Sequence, residues 1–184
     1  MATAVGMTDP WSEVERLVDQ FYADVLARVS RVRSGRSNLL YQALVGGASK
    51  LSRLERTTVT VLGRYAPRFF TPFFTVVRPL EPPFDFYGVL RGVEYWVKVV
   101  CGEDAFNEPT ARVVAEASAR YERPVILTLQ GRFFEPRTVG RAVWYSAPAS
   151  WKLVAGEGAY RRFAEIVYRV ASKYRDRVWG LLKE

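Results

Sequence analysis

The run Pro83-Phe84-Asp85-Phe86-Tyr87-Gly88-Val89-Leu90-Arg91-Gly92-Val93-Glu94-Tyr95-Trp96-Val97-Lys98-Val99-Val100 decides the fold. Its aromatic and β-branched residues predict strands over 84–90 and 93–100, and the two residues Arg91-Gly92 between them predict a tight antiparallel hairpin. Along the second strand Glu94, Trp96, Lys98 and Val100 share one face, while Val93, Tyr95, Val97 and Val99 make the other. Upstream, the proline-rich stretch 79–83 ends a strand over 73–78, because consecutive prolines supply no ladder donors. Downstream, Asn107 caps a helix over 108–121 with Pro109 tolerated in its first turn. The unbroken apolar run 124–130 reads as a parallel or central strand buried on both faces, and 133–145 adds one or two edge strands. A helix over 50–62, stopped by Gly63, precedes all of this.

Helix, three strands, helix, strand is the order of a compact α/β unit, which spans 50–130. An N-terminal helical extension covers 10–48. Its first helix, 10–32, opens at Asp9-Pro10 and repeats Val14, Leu17, Val18, Phe21, Val25 and Val29 at helical spacing; a short helix over 39–45 follows. A C-terminal helical extension covers 146–184, with a helix over 158–182 whose apolar stripe holds Phe163, Ile166, Val167 and Val170. The chain of 184 residues forms a single domain, 1–184.

Composition narrows the function. Hydrophobic residues at 49% and charged residues at 25% exclude a disordered chain. No apolar run approaches the roughly 20 residues of a membrane span, and the first nine residues lack the blocks of a signal peptide, so a cytoplasmic protein without a membrane partner is expected. One cysteine and no histidine exclude serine and cysteine triads, zinc hydrolases and zinc deaminases. The net charge of +8 is carried mostly by arginine, the side chain suited to bidentate phosphate contacts, which makes nucleic acid the leading partner. Scarce Asn, Gln, Cys and Met also match proteins of thermophiles, in which arginine has a second explanation.

The quoted run resembles the heart of the restriction-endonuclease-like fold of PD-(D/E)xK nucleases, particularly the RecB-like and archaeal Holliday-junction resolvase branches. The resemblance covers about residues 50–130 and implies an α/β fold with an αβββαβ core, to which this chain adds N-terminal and C-terminal helices. It implies a magnesium- or manganese-dependent nuclease, because hard cations held by carboxylates against a phosphate perform that hydrolysis. Carried over by position, Asp85 matches the first metal carboxylate and Lys98 the lysine that stabilises developing charge. Glu55 matches a helical metal ligand. Trp96 stands where the acid two residues before the lysine belongs, and Glu94 is the nearest acid on that face. Two other readings stay open: a register in which Lys98 takes the acid position and Val100 the lysine position, and an acid drawn from beyond the strand, from Glu103, Asp104, Glu108 or Glu116. Thus Asp85, Lys98 and Glu94 are the catalytic candidates, and Asp85, Glu55 and Glu108 the metal candidates.

The segments Phe84-Asp85-Phe86, Glu94-Tyr95-Trp96-Val97, Pro109 to Arg112 and Pro124-Val125-Ile126-Leu127 are also similar to the C-terminal domain of archaeal tRNA-splicing endonuclease subunits. Catalytic members of that family use a histidine, so this resemblance implies a non-catalytic structural partner. The nucleic-acid contacts expected from position are Arg64, Arg68, Arg78 and Arg91 in the core, and Arg161, Arg162, Arg169 and Lys173 on the last helix, with DNA favoured over RNA. The phenylalanines 69, 70, 73 and 74 read as core filling, with a base-stacking platform beside Arg64, Arg68 and Arg78 or a dimer interface as the alternatives. A homodimer, a subunit of a larger complex and a protein-interaction module all remain open.

Overall fold

The computed structural model describes residues 9–28, 53–101, 106–129 and 135–183. Among them five helices and six strands form a mixed α/β fold: α1 (Pro10–Arg28), α2 (Arg53–Phe70), β1 (Thr75–Pro79), β2 (Phe86–Leu90), β3 (Val93–Val100), α3 (Glu108–Ser118), β4 (Pro124–Thr128), β5 (Arg137–Val139), β6 (Ala142–Trp144), α4 (Ala147–Ala155) and α5 (Ala159–Lys183). The six strands make one sheet in the order β1-β2-β3-β4-β6-β5. β1, β2 and β3 are an antiparallel meander; β4 and then β6 join β3 in parallel, and β5 closes the far edge antiparallel to β6.

The predicted hairpin forms with Leu90 paired to Val93. Arg91 and Gly92 turn it with positive φ angles of 49° and 78°, the left-handed geometry that a two-residue connection between twisted strands demands. β4, central and parallel as expected, is buried at every residue. The Asn107 side chain accepts from the Thr110 N–H at 3.1 Å and opens α3.

Each face of the sheet carries its own core. Val97 and Val99 of β3 join the larger one with Val125 and Leu127, against buried residues of α1, α2, α4 and α5. Val100 and Trp96, on the opposite face of the same strand, join Ile126, Trp144 and residues of α3 in the smaller core. α1 and α5 run parallel, since Glu15 pairs with Arg169 and, one turn on, Asp19 with Lys173, while Tyr22 stacks on Tyr174 at 5.5 Å. The phenylalanines 69, 70 and 74 are buried in the larger core, and Phe73 packs at its margin.

Four expectations are corrected. α2 does not stop at Gly63 but continues through Pro67 to Phe70. Leu62, Tyr65, Ala66, Phe69 and Phe70 are all buried, and that apolar stripe outweighs the roughly 1 kcal/mol cost of glycine and the lost proline hydrogen bond. α3 ends at Ser118, three residues early. β6 is an interior strand rather than an edge, lying between β4 and β5 with Ala142 and Trp144 buried. A helix absent from the sequence reading, α4, opens at Ser146, whose side chain caps Ala149, and closes at Gly156. The short helix expected over 39–45 lies outside the described residues.

Candidate active site

Asp85 sits one residue before β2 and is fastened to β3 twice. Its backbone N–H donates to the Val97 carbonyl at 2.8 Å, and its carboxylate Oδ2 accepts from the Val99 N–H at 2.6 Å. The side chain thereby completes the β3 ladder where the backbone of β2 has not yet begun. The Leu80 N–H donates to the Asp85 carbonyl at 3.1 Å, which folds the proline-rich loop back onto this point. Burial pushes the Asp85 carboxyl up from its ordinary range, while the charge of Lys98 and the Val99 N–H pull against that rise. Lys98 is half-buried beside it on β3. Cys101, just beyond the strand, belongs to the same electrostatic group: burial raises its thiol to about 11, with Lys98 opposing and Asp85 adding to the rise. The sequence reading missed this cysteine, although its place immediately after a strand carrying Lys98 pointed to it.

Glu94 is not drawn into this group. It is exposed and accepts from the Tyr87 hydroxyl at 2.6 Å. Glu108 is exposed at the start of α3, 3.4 Å from Arg112. Glu116 is exposed on the same helix. Glu55 falls in the first turn of α2, its side chain outside what the structure describes, and Glu103 and Asp104 also lie outside the described residues. Among the described residues no group of three Asp, Glu, Cys or His side chains is gathered to hold a metal ion.

Trp96 fills its position with an aromatic contact. It stacks on Tyr121 at 5.8 Å and meets Tyr87 edge to face at 5.3 Å. Arg78 lies 4.4 Å over the outer face of Tyr87. Tyr121 in turn packs against Phe84 at 5.0 Å, so Asp85 and Lys98 border an aromatic platform on the α3 side of the sheet.

The arginines singled out from sequence separate into two groups. Arg64 and Arg161 are exposed without an ion pair among the described residues, and Arg68 lies over Tyr65 at 5.5 Å. Others are already engaged: Arg91 donates to the Leu153 carbonyl at 2.7 Å near the C-terminus of α4, Arg169 pairs with Glu15, and Lys173 with Asp19 at 3.0 Å. Arg162 lies 4.8 Å over Trp11 at the rim of a shallow cleft between α1 and α5 that also holds Glu15, Glu165 and Arg169. Basic charge on α5 is therefore partly neutralised by α1. No described helix is long and apolar enough to cross a membrane.

No family model, curated protein or solved structure matches this chain.

Proposed function

We propose that this chain is a nucleic-acid-binding protein with a restriction-endonuclease-like core that hydrolyses phosphodiester bonds, with DNA as its substrate. The observation that carries the reading is the placement of Asp85 beside Lys98: a half-buried carboxylate at the start of β2 next to a lysine near the end of β3. The strand order supports it, since an antiparallel meander followed by a helical crossover to a parallel strand is the connectivity that the resemblance implies. The donor set fits one kind of metal and not another. Asp85 offers a single carboxylate, so a resident cage of three acids is not what these residues build. Magnesium, however, is commonly held by one or two carboxylates together with substrate phosphates, and Asp85 suits an ion shared with the phosphate. Such an ion, when bound, supplies charge neutralisation on the phosphate. In this reading Lys98 is the residue that steadies negative charge developing on the phosphate beside Asp85.

Cleavage of labelled linear, branched and single-stranded DNA and of RNA, with magnesium or manganese, tests this for the wild type, Asp85→Ala and Lys98→Ala. Metal-dependent cleavage by the wild type that both variants lose is expected; no cleavage of any substrate by the wild type overturns the hydrolytic part. A second reading is favoured by Trp96, which holds the acid position in an aromatic stack. It makes the protein a non-catalytic subunit that positions nucleic acid for a partner, as a structural subunit of a tRNA-splicing endonuclease does. Salt-sensitive binding without cleavage is its signature, because phosphate contacts weaken steeply with salt. Failure to bind at any salt marks a protein-interaction module instead.

A further inference from the structure

We infer that Arg120, Arg123 and Arg141 form a contact surface for the phosphate backbone of nucleic acid, at the corner where β4 and β6 begin. None of the three belongs to the contacts expected from sequence. Arg120 ends the turn after α3, Arg123 directly precedes β4, and Arg141 precedes β6 at the tip of its hairpin with β5. The parallel pairing of Val125 with Val143, carried back two residues, sets Arg123 level with Arg141 on neighbouring strands, about 5 Å apart between backbones. Ser118 ties the corner together: its Oγ accepts from the Arg141 N–H at 2.9 Å, and its carbonyl accepts from the Tyr121 N–H at 3.2 Å. Gly140 permits the approach, with φ of 62° and room only for hydrogen, since a Cβ there would stand 2.7 Å from the Ala115 carbonyl oxygen.

The backbone thus fixes three arginines at one corner. All three are exposed, and none is in an ion pair among the described residues. The nearby acids Glu116 and Glu122 are exposed and do not pair with them. This differs from α5, where Arg169 and Lys173 are taken up by α1. The C-terminus of α3 favours cations here, but its end carries only about half a negative charge, less than three guanidiniums require. Arginine presents planar, bidentate donors matched to phosphate. Trp96 pairs with Pro124, which puts Arg123 level with Tyr95, whose ring its guanidinium overlies on the face of β3 opposite Lys98. The corner is therefore a contact separate from Asp85 and Lys98, and it fixes the position of the backbone without reading sequence. This inference rests on the nucleic-acid reading above.

Binding of a short labelled duplex is measured against salt for the wild type, for Arg120→Gln/Arg123→Gln/Arg141→Gln, and for the charge-matched control Arg16→Gln/Arg112→Gln/Lys152→Gln, three exposed cations already paired with Glu13, Glu108 and Glu157. The corner variant is expected to shallow the log–log salt slope by about 2 to 3, near one unit per arginine, and to weaken binding more than tenfold at low salt, while the control keeps the wild-type slope. Wild-type binding that the corner variant leaves unchanged, or that the control shallows equally, overturns the inference and leaves the nucleic-acid reading standing. A wild type that binds no duplex removes that reading and the inference together. Arg123 lies 5.9 Å over the Tyr95 ring; if the triple variant melts early, Arg120→Gln/Arg141→Gln carries the test with an expected change of about 2.

Discussion

Trp96 stacks on Tyr121 with 5.8 Å between ring centroids and 15° between planes, two residues before Lys98 on the same face of β3. A tryptophan in that position gives the α3 side of the sheet an aromatic platform beside Lys98. Trp96 is half-buried, so Trp96→Ala is expected to cost about 2 kcal/mol, less than the ~3–5 kcal/mol of a fully buried aromatic. In a chain of this size that lowers Tm by about 4–8 °C. A double-mutant cycle with Tyr121→Ala should return a coupling of about 0.5–1.5 kcal/mol; zero coupling would mean that the stack contributes only by area.

Asp85 gives stability a distinctive pH dependence. Its folded-state pKa is raised, chiefly by burial, above the unfolded value of about 3.9. Between those two values the folded state binds more protons than the unfolded one, so the contribution of Asp85 to stability is greatest below about pH 4 and falls as pH rises through the folded pKa. At neutral pH the buried carboxylate is a cost. Asp85→Asn keeps an acceptor for the Val99 N–H and removes that cost, so urea denaturation should find it more stable than the wild type at pH 7 and equal to it below pH 4. A wild-type profile that rises from pH 4 to 7 more steeply than that of Asp85→Asn would contradict this. A stability gain on removing the carboxylate is what a residue retained for function shows.

Gly140 and Gly92 both adopt positive φ, 62° and 78°, but only one of them is crowded. A Cβ at Gly140 would meet the Ala115 backbone at 2.7 to 2.8 Å, and helix backbone cannot step aside; at Gly92 nothing lies within 4 Å. Gly92→Ala should therefore cost about 1 kcal/mol, the left-handed penalty alone. Gly140→Ala should cost about 3 kcal/mol or more, since steric displacement adds to that penalty. Thermal melts of the two variants side by side check the order, and equal shifts would place the β5–β6 hairpin away from α3.

How much of this was legible in the sequence varies by element. The β2–β3 hairpin and the central place of β4 follow from local signals, a two-residue turn and an unbroken apolar run, and both form as read. Gly63 and Pro67 are strong local breakers, yet α2 passes through both because its buried stripe is set by contacts with α1 and β3 that no local window contains. α4 was missed although Ser146 and Gly156 bracket it; nine residues carry too few turns for a period to stand out. That Asp85 and Lys98 come together was readable, because strand pairing follows from the turn. The bond of Glu94 to Tyr87 was not legible, because it depends on the cross-strand neighbour and not on spacing along β3. The corner of Arg120, Arg123 and Arg141 assembles from three elements and needed the sheet order to be seen at all.

Cys101 reports on the charges of Asp85 and Lys98 without any substrate. With its thiol held near 11 against about 8.5 in an unfolded chain, the native thiolate fraction at pH 8 is about two orders of magnitude lower. Alkylation by iodoacetamide should slow by at least that factor in the folded protein, because the thiolate is the nucleophile, and should accelerate about tenfold per pH unit up to about pH 11. Asp85 adds to the rise of the thiol pKa and Lys98 opposes it. Asp85→Asn should therefore speed the reaction at pH 8, and Lys98→Met should slow it. Opposite shifts in the two variants, with neither melting below the wild type, would establish that the three side chains share one field. Rates that move together would instead report a change of access to the sulfur and would separate Cys101 from the Asp85–Lys98 pair.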